Sequence, residues 1–161
     1  MRSLPLYDKP PTAAVETCEK RELDHDCTRC ALSNTAHSVC IPDELVEGKG
    51  SETLMLVGES PGYLEDRKGR PFVGDSGAYL RSLVRQHWAG SVVYSNALRC
   101  HPPRNRGEKG NKFKPKEIAA CRPFLAQALH ETQPNRVVLL GGWSALTFLG
   151  RKIPPLSARK G

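Results

Sequence analysis

Nothing in this sequence approaches the ~20-residue apolar run that spans a bilayer, so no membrane partner is expected. The dinucleotide fingerprint GxGxxG is absent. So is a Gly-Lys-Ser/Thr triplet at phosphate-loop spacing, which excludes both common nucleotide cradles. Residues Met1 to Lys20 lack the apolar core of a secretory signal. An intracellular, cytoplasmic and reducing environment is the expectation that follows. The six cysteines are then expected to be metal ligands, reactive thiols or packing residues rather than disulfides. Internal repeats and low-complexity tracts are missing too. Finally, acidic residues become scarce after position 66, with only four in the last 95 residues.

That last scarcity divides the chain. Residues 1–66 carry 6 Lys/Arg against 13 Asp/Glu, and residues 67–161 carry 18 against 4. The basic part suits a polyanion such as nucleic acid, or a solvated basic face, and charge alone does not choose between them. At 161 residues the chain can form one domain with a core that needs no disulfide support. Residues 1–20, with Pro5, Pro10 and Pro11, read as a flexible leader, and 21–161 as the domain.

The organisation comes from three apolar runs. Thr53–Val57 stops at Gly58, Val92–Tyr94 leads to Asn96, and Arg136–Leu140 stops at Gly141-Gly142. Such unbroken runs are the mark of strands buried on both faces. Between them, Leu80, Leu83, Val84 and Trp88 recur at helical spacing after Ser76, a candidate N-cap. Ile118, Cys121, Leu125 and Leu129 do so after Pro115, a candidate first-turn proline. A short helix from about Trp143 to Gly150 completes the alternation. Pro42–Ser51 reads as a loop. Alternating strands and helices predict an α/β fold with a parallel sheet covered by helices on its faces.

In such folds ligands bind beyond the carboxyl ends of the strands. Gly58-Glu59-Ser60-Pro61-Gly62 follows the first strand, and its glycines allow close approach of backbone N–H groups. Taken alone it is as compatible with a plain turn. Asn96 ends the second strand. Phe72, between Pro71 and two nearby glycines, is badly placed for a regular core element and well placed to stack on a base. Cys27 and Cys30 form a CxxC pair, with Cys100 at a strand end and Cys121 on the apolar side of a helix. Four thiols can hold zinc or an iron–sulfur cluster, and spacing does not decide between them. Cys18 and Cys40 lack partners at ligand spacing. The stretch from Arg99 to Lys116 holds seven Lys/Arg and one Glu; Arg104, Arg106, Lys109, Lys112 and Lys114 are the candidate phosphate contacts.

Together these strings resemble the iron–sulfur, or family 4, uracil-DNA glycosylases. GESPGYLEDRKGRPFVGDSGAYL is similar to the family's GEAPGxxED…G.PFVG.aG..L, and SNALRCHPPRNR, EIAACRPFLAQAL, VVLLGGWSAL and CTRCAL each match a family motif in order. The match runs from Cys27 to about Gly150, about three quarters of the chain. It implies a three-layer α/β/α fold with a central, mainly parallel four-stranded sheet. It implies a 4Fe-4S cluster on Cys27, Cys30, Cys100 and Cys121, with zinc as the alternative. It also implies a DNA repair glycosylase that flips uracil from uracil-containing DNA and leaves an abasic site. Glu59 and Ser60 would be catalytic, and Gly58, Pro61, Gly62, Phe72 and Asn96 would bind the base.

Three departures accompany the resemblance. Ser60 stands in the Ala slot of GEAPG, putting a hydroxyl near the path of the attacking water. His101 replaces an Arg that usually follows the cluster cysteine. Residues 102–120 contain no His, which speaks against the covalently trapping branch of the superfamily. Family members continue to an HPS motif, whereas this sequence stops at Gly161. A domain incomplete at its C-terminus, with the sheet's last strand missing, is therefore expected. The chain would then be a monomeric glycosylase or a non-catalytic module within a longer replication or repair polypeptide.

Overall fold

A computed structural model describes residues 26–103 and 113–150. The proposed leader and the residues after Gly150 lie outside them. The strands are β1 (Glu44–Val46), β2 (Gly50–Gly58), β3 (Gly90–Asn96) and β4 (Arg136–Leu139). The helices are α1 (Tyr63–Lys68), α2 (Asp75–His87), α3 (Pro115–Thr132) and α4 (Gly142–Leu149), with a 3-10 turn at Ala31–Asn34.

The sheet order is β1-β3-β2-β4. β2 runs parallel to β3 and to β4, and β1 runs antiparallel to β3. Side chains alternate across a strand, and each face of β2 meets its own layer. Leu54 and Leu56 join Val92 and Tyr94 under Leu80 and Val84 of α2 and the C-cap residue Trp88. Met55 and Val57 join Val93 under Leu125, Ala128 and Leu129 of α3, with Phe148 of α4 beside them. Burying each such aliphatic side chain contributes ~1.5–3 kcal/mol, so the double-sided central strands carry most of the core. Three layers result, with the parallel strands aiming their carboxyl ends the same way. Asn135 sets the register of β4: its N–H donates to Thr53 O at 2.9 Å, and its Oδ1 accepts from Thr53 N–H at 2.7 Å.

Three local expectations are corrected. Pro42–Ser51 is not simply a loop, because it contains β1 and the start of β2. β1 is a short edge strand with Leu45 and Val46 exposed, so it leaves no burial pattern to read. α1 went unread for a similar reason: Asp66 is its only buried residue. The helix thought to begin at Ser76 instead has Gly74 as its N-cap and starts at Asp75. By contrast, Pro115 opens α3 and Gly150 caps α4, as their chemistry suggests.

Candidate active site and cysteine cluster

The parallel register puts Gly58 directly beside Asn96 at the ends of β2 and β3. A Cβ on Gly58 would lie 2.4 Å from Asn96 Oδ1 and 2.8 Å from Phe72 Cζ. The missing side chain therefore lets a carboxamide and the tip of a ring occupy the space beside Gly58. Asn96 is buried, and Phe72 is half-buried. The ring of Phe72 sits 5.8 Å from that of Tyr94, tilted by 52°.

Phe72 holds a left-handed backbone, with φ of 53°. A non-glycine residue there costs roughly 1–3 kcal/mol unless its surroundings enforce it. Arg81 of α2 supplies that enforcement. Its Nε donates to Phe72 O at 2.9 Å and its Nη2 to Pro71 O at 2.8 Å. The same guanidinium lies 3.9 Å over the Tyr94 ring and is paired with Glu44 of β1 at 2.7 Å. Burial works to raise the Glu44 pKa, but hydrogen bonds from Arg81 and Arg70 outweigh it and hold the carboxyl below its usual value. Gly77 completes the seat, since a Cβ there would fall 2.4 Å from the Phe72 carbonyl carbon and oxygen. Nothing in the sequence pattern distinguished Arg81 or Glu44 from ordinary surface charges.

The acidic residues beside this space are committed to backbone amides. Glu59 Oε1 accepts from Trp143 N–H at 3.0 Å, at the start of α4, and crowds Gly141, whose φ is 102°. Glu65 Oε1 accepts from Gly74 N–H at 2.9 Å and also lies against Gly62. Asp66 is buried and accepts from His37 and Ser38 N–H, each at 3.0 Å. A carboxylate satisfied this way braces two segments with a charge-assisted bond. Pro61 is fully buried, and its carbonyl accepts from His101 Nδ1 at 2.8 Å. Ser60, partly exposed, lies between Glu59 and Pro61 in the turn.

The cysteines gather on the side of the domain formed by the 3-10 turn, the segment after β3, and α3. Cys100 and Cys121 share an apolar cluster with Leu32 and Phe113, and Cys30 packs against it. Cys27 packs with Cys40 and Phe124. All five described cysteines are free thiols. Burial pushes Cys121 up to about 12 and also raises Cys100, with neighbouring cysteines adding to the effect. Among the described residues, no group of three or more His, Cys, Asp or Glu side chains is closed round a point as metal ligands. Cys40, read as a packing residue for want of a partner at ligand spacing, is fully buried in an apolar cluster beside these thiols, and its N–H donates to Cys100 Sγ at 3.3 Å. No linear spacing signals a residue brought in by a turn of positive φ, here 53°.

Arg99 also departs from the reading as part of a basic DNA-facing stretch. It is buried, forms a two-pronged pair with Asp43, and donates to Phe124 O at 3.3 Å. Its Nε is buried without a partner. Lys114 is exposed at the N-cap of α3, where its N–H donates to Glu117 Oε2 at 2.9 Å. Arg104, Arg106, Lys109 and Lys112 lie outside the described residues.

The family model described as the uracil DNA glycosylase superfamily matches residues 46–159. Among curated proteins, the chain is similar to the type-4 uracil-DNA glycosylase of Pyrobaculum aerophilum: 34% identical over 145 residues, 87% of this chain and 69% of that protein. That of Thermotoga maritima is 36% identical over 131 residues, 79% of this chain and 63% of that protein. That of Saccharolobus solfataricus is 34% identical over 130 residues, 79% of this chain and 56% of that protein. The chain belongs to the uracil-DNA glycosylase superfamily, in its type-4 branch. It spans roughly 56–69% of the length of these relatives. No described helix is long and apolar enough to cross a membrane.

Proposed function

We propose that this chain removes uracil from DNA by hydrolysing its N-glycosidic bond. The observation that carries the reading is the joint convergence of Phe72 and Asn96 on Gly58 at the strand ends. The pair suits a flipped uracil in chemistry: Phe72 stacks on its face, while the Asn96 carboxamide donates to O4 and accepts from N3–H. Backbone N–H groups of the Gly58–Gly62 turn serve the remaining oxygen.

As the bond breaks, its electron pair goes to uracil N1, and the sugar becomes oxocarbenium-like. Donors already aimed at the departing anion stabilise it more than they stabilise the bound base. Water then adds to C1′ and gives up its proton, leaving an abasic site. In this reading Glu59 fixes the start of α4 against the turn, and with Ser60 borders the water's approach. Lys114, with Arg104, Arg106, Lys109 and Lys112, contacts DNA phosphates, which position the strand without reading it.

The donor set of Cys27, Cys30, Cys100 and Cys121 suits a 4Fe-4S cluster better than a disulfide pairing. Four free thiols lie near one another, three buried and Cys30 partly so. The Cys40 N–H already faces Cys100 Sγ, and the buried Arg99 cation offsets negative charge at Cys121. Such a group would cross-link the CxxC segment, the loop after β3, and α3, with no redox step required for base removal. Zinc would do the same mechanical work.

Oligonucleotides containing a single uracil, single- and double-stranded, test the reading. Incubation followed by hot alkali should cut at the uracil, and Phe72→Ala or Asn96→Ala should sharply slow the cut. A folded, cluster-loaded protein that leaves both substrates intact would sink it, and would favour a non-catalytic DNA-binding module.

A further inference from the structure

We propose that His101 is a positioning residue of the base pocket, holding the Pro61 carbonyl so that the Gly58–Gly62 turn keeps its shape. The inference rests on the glycosylase reading for its consequence, though not for its geometry. A carbonyl oxygen only accepts, so the 2.8 Å contact makes His101 Nδ1 the donor. The Pro61–Gly62 peptide is planar and trans, as no cis bond occurs among the described residues. In a trans peptide the carbonyl and the following N–H point in opposite directions. Fixing Pro61 O on the imidazole therefore fixes the direction of Gly62 N–H, one of the donors proposed for the base.

Three rungs tie the segment after β3 to this turn. Ala97 N–H donates to Gly58 O at 2.9 Å, and Leu98 N–H donates to Glu59 O at 3.0 Å. His101 to Pro61 is the third, and it is made by a side chain. Because His101 directly follows Cys100, it joins the cysteine cluster to the pocket. Standing in the place of the family's arginine, its ring bonds the Pro61 carbonyl. Loosening the cluster would then reach the base through this bond.

Substitution separates the donor from the bulk. His101→Leu keeps volume and removes the donor. In His101→Asn, the carboxamide nitrogen falls near the position of Nδ1. In His101→Gln it reaches instead toward the position of Nε2. Two readouts apply: amide hydrogen exchange of the 58–62 turn, and single-turnover uracil release at saturating oligonucleotide. We expect faster exchange in the turn and a release rate lowered roughly tenfold for Leu and Gln, with Asn near wild type and oligonucleotide affinity unchanged. Equal behaviour of all three variants, whether all intact or all impaired, overturns the proposal. So does normal exchange accompanied by slow release. If exchange follows the expected pattern but the wild-type protein releases no uracil, the contact stands and the glycosylase reading falls.

Discussion

Gly77→Ala should separate stability from activity in this protein. An added methyl would sit 2.4 Å from the Phe72 carbonyl carbon and oxygen, whereas ordinary contact begins at 3.4 Å. The deficit of 1.0 Å cannot come from a flexible side-chain tip, because the obstructing atoms are backbone. α2 or the Phe72 turn must therefore move by about that distance. Two terms oppose each other in the folding free energy. Alanine favours the helix by ~1 kcal/mol over glycine, while overpacking costs ~1–3 kcal/mol. The net loss should be at most about 2 kcal/mol, a tolerable change for a domain. Activity has no compensating term. Moving the stacking ring by ~1 Å should slow uracil release on the order of 100-fold. Ala78→Gly is the control: Ala78 is exposed on the same helix and should lose helix stability without losing rate. Urea titration supplies the first quantity and single-turnover excision the second. A Gly77→Ala protein with wild-type excision would refute the claim that α2 seats Phe72 for the base.

Other outcomes follow from the same geometry. Asn96→Asp should be worse than Asn96→Ala in single-turnover release, because a carboxylate repels the departing uracil anion; the reverse order would remove Asn96 from the site. Cys121→Ser should lose iron and acid-labile sulfide, measured by metal analysis and visible absorbance, whereas Cys18→Ser should keep both. Glu44 has a lowered folded-state pKa, so its contribution to stability is present above its unfolded pKa and is lost as pH falls through the folded value. Urea midpoints of wild type and Glu44→Gln should therefore differ at neutral pH and converge in acid. A constant offset across the range would show that the pair with Arg81 and Arg70 is not the cause.

The sequence by itself carried the features that local chemistry writes directly. Thr53–Val57 and Val92–Tyr94 are continuous apolar runs because the central strands β2 and β3 are covered on both faces, whereas Arg136–Leu140, read the same way, forms the edge strand β4 with Val138 exposed. Pro115 and Gly150 marked helix termini through their backbone restrictions. Gly58, Phe72 and Asn96 were legible as candidates because strand ends host ligands in this architecture.

Only the tertiary structure decided what those residues touch. Arg81 and Arg99 look alike in the sequence, yet one clamps the backbone of Phe72 and the other is buried against Asp43 beside the cysteines. Nothing in the sequence shows the partners of Glu59, Glu65 and Asp66, yet each accepts from a backbone amide outside its own element. Cys40 lacked any ligand spacing but lies among the other thiols. β1 and α1 bury too little apolar surface to leave a periodic trace. Periodicity records which face of an element is dry. The partner of a buried charge or thiol depends on contacts between segments dozens of residues apart, and those exist only once the chain has folded.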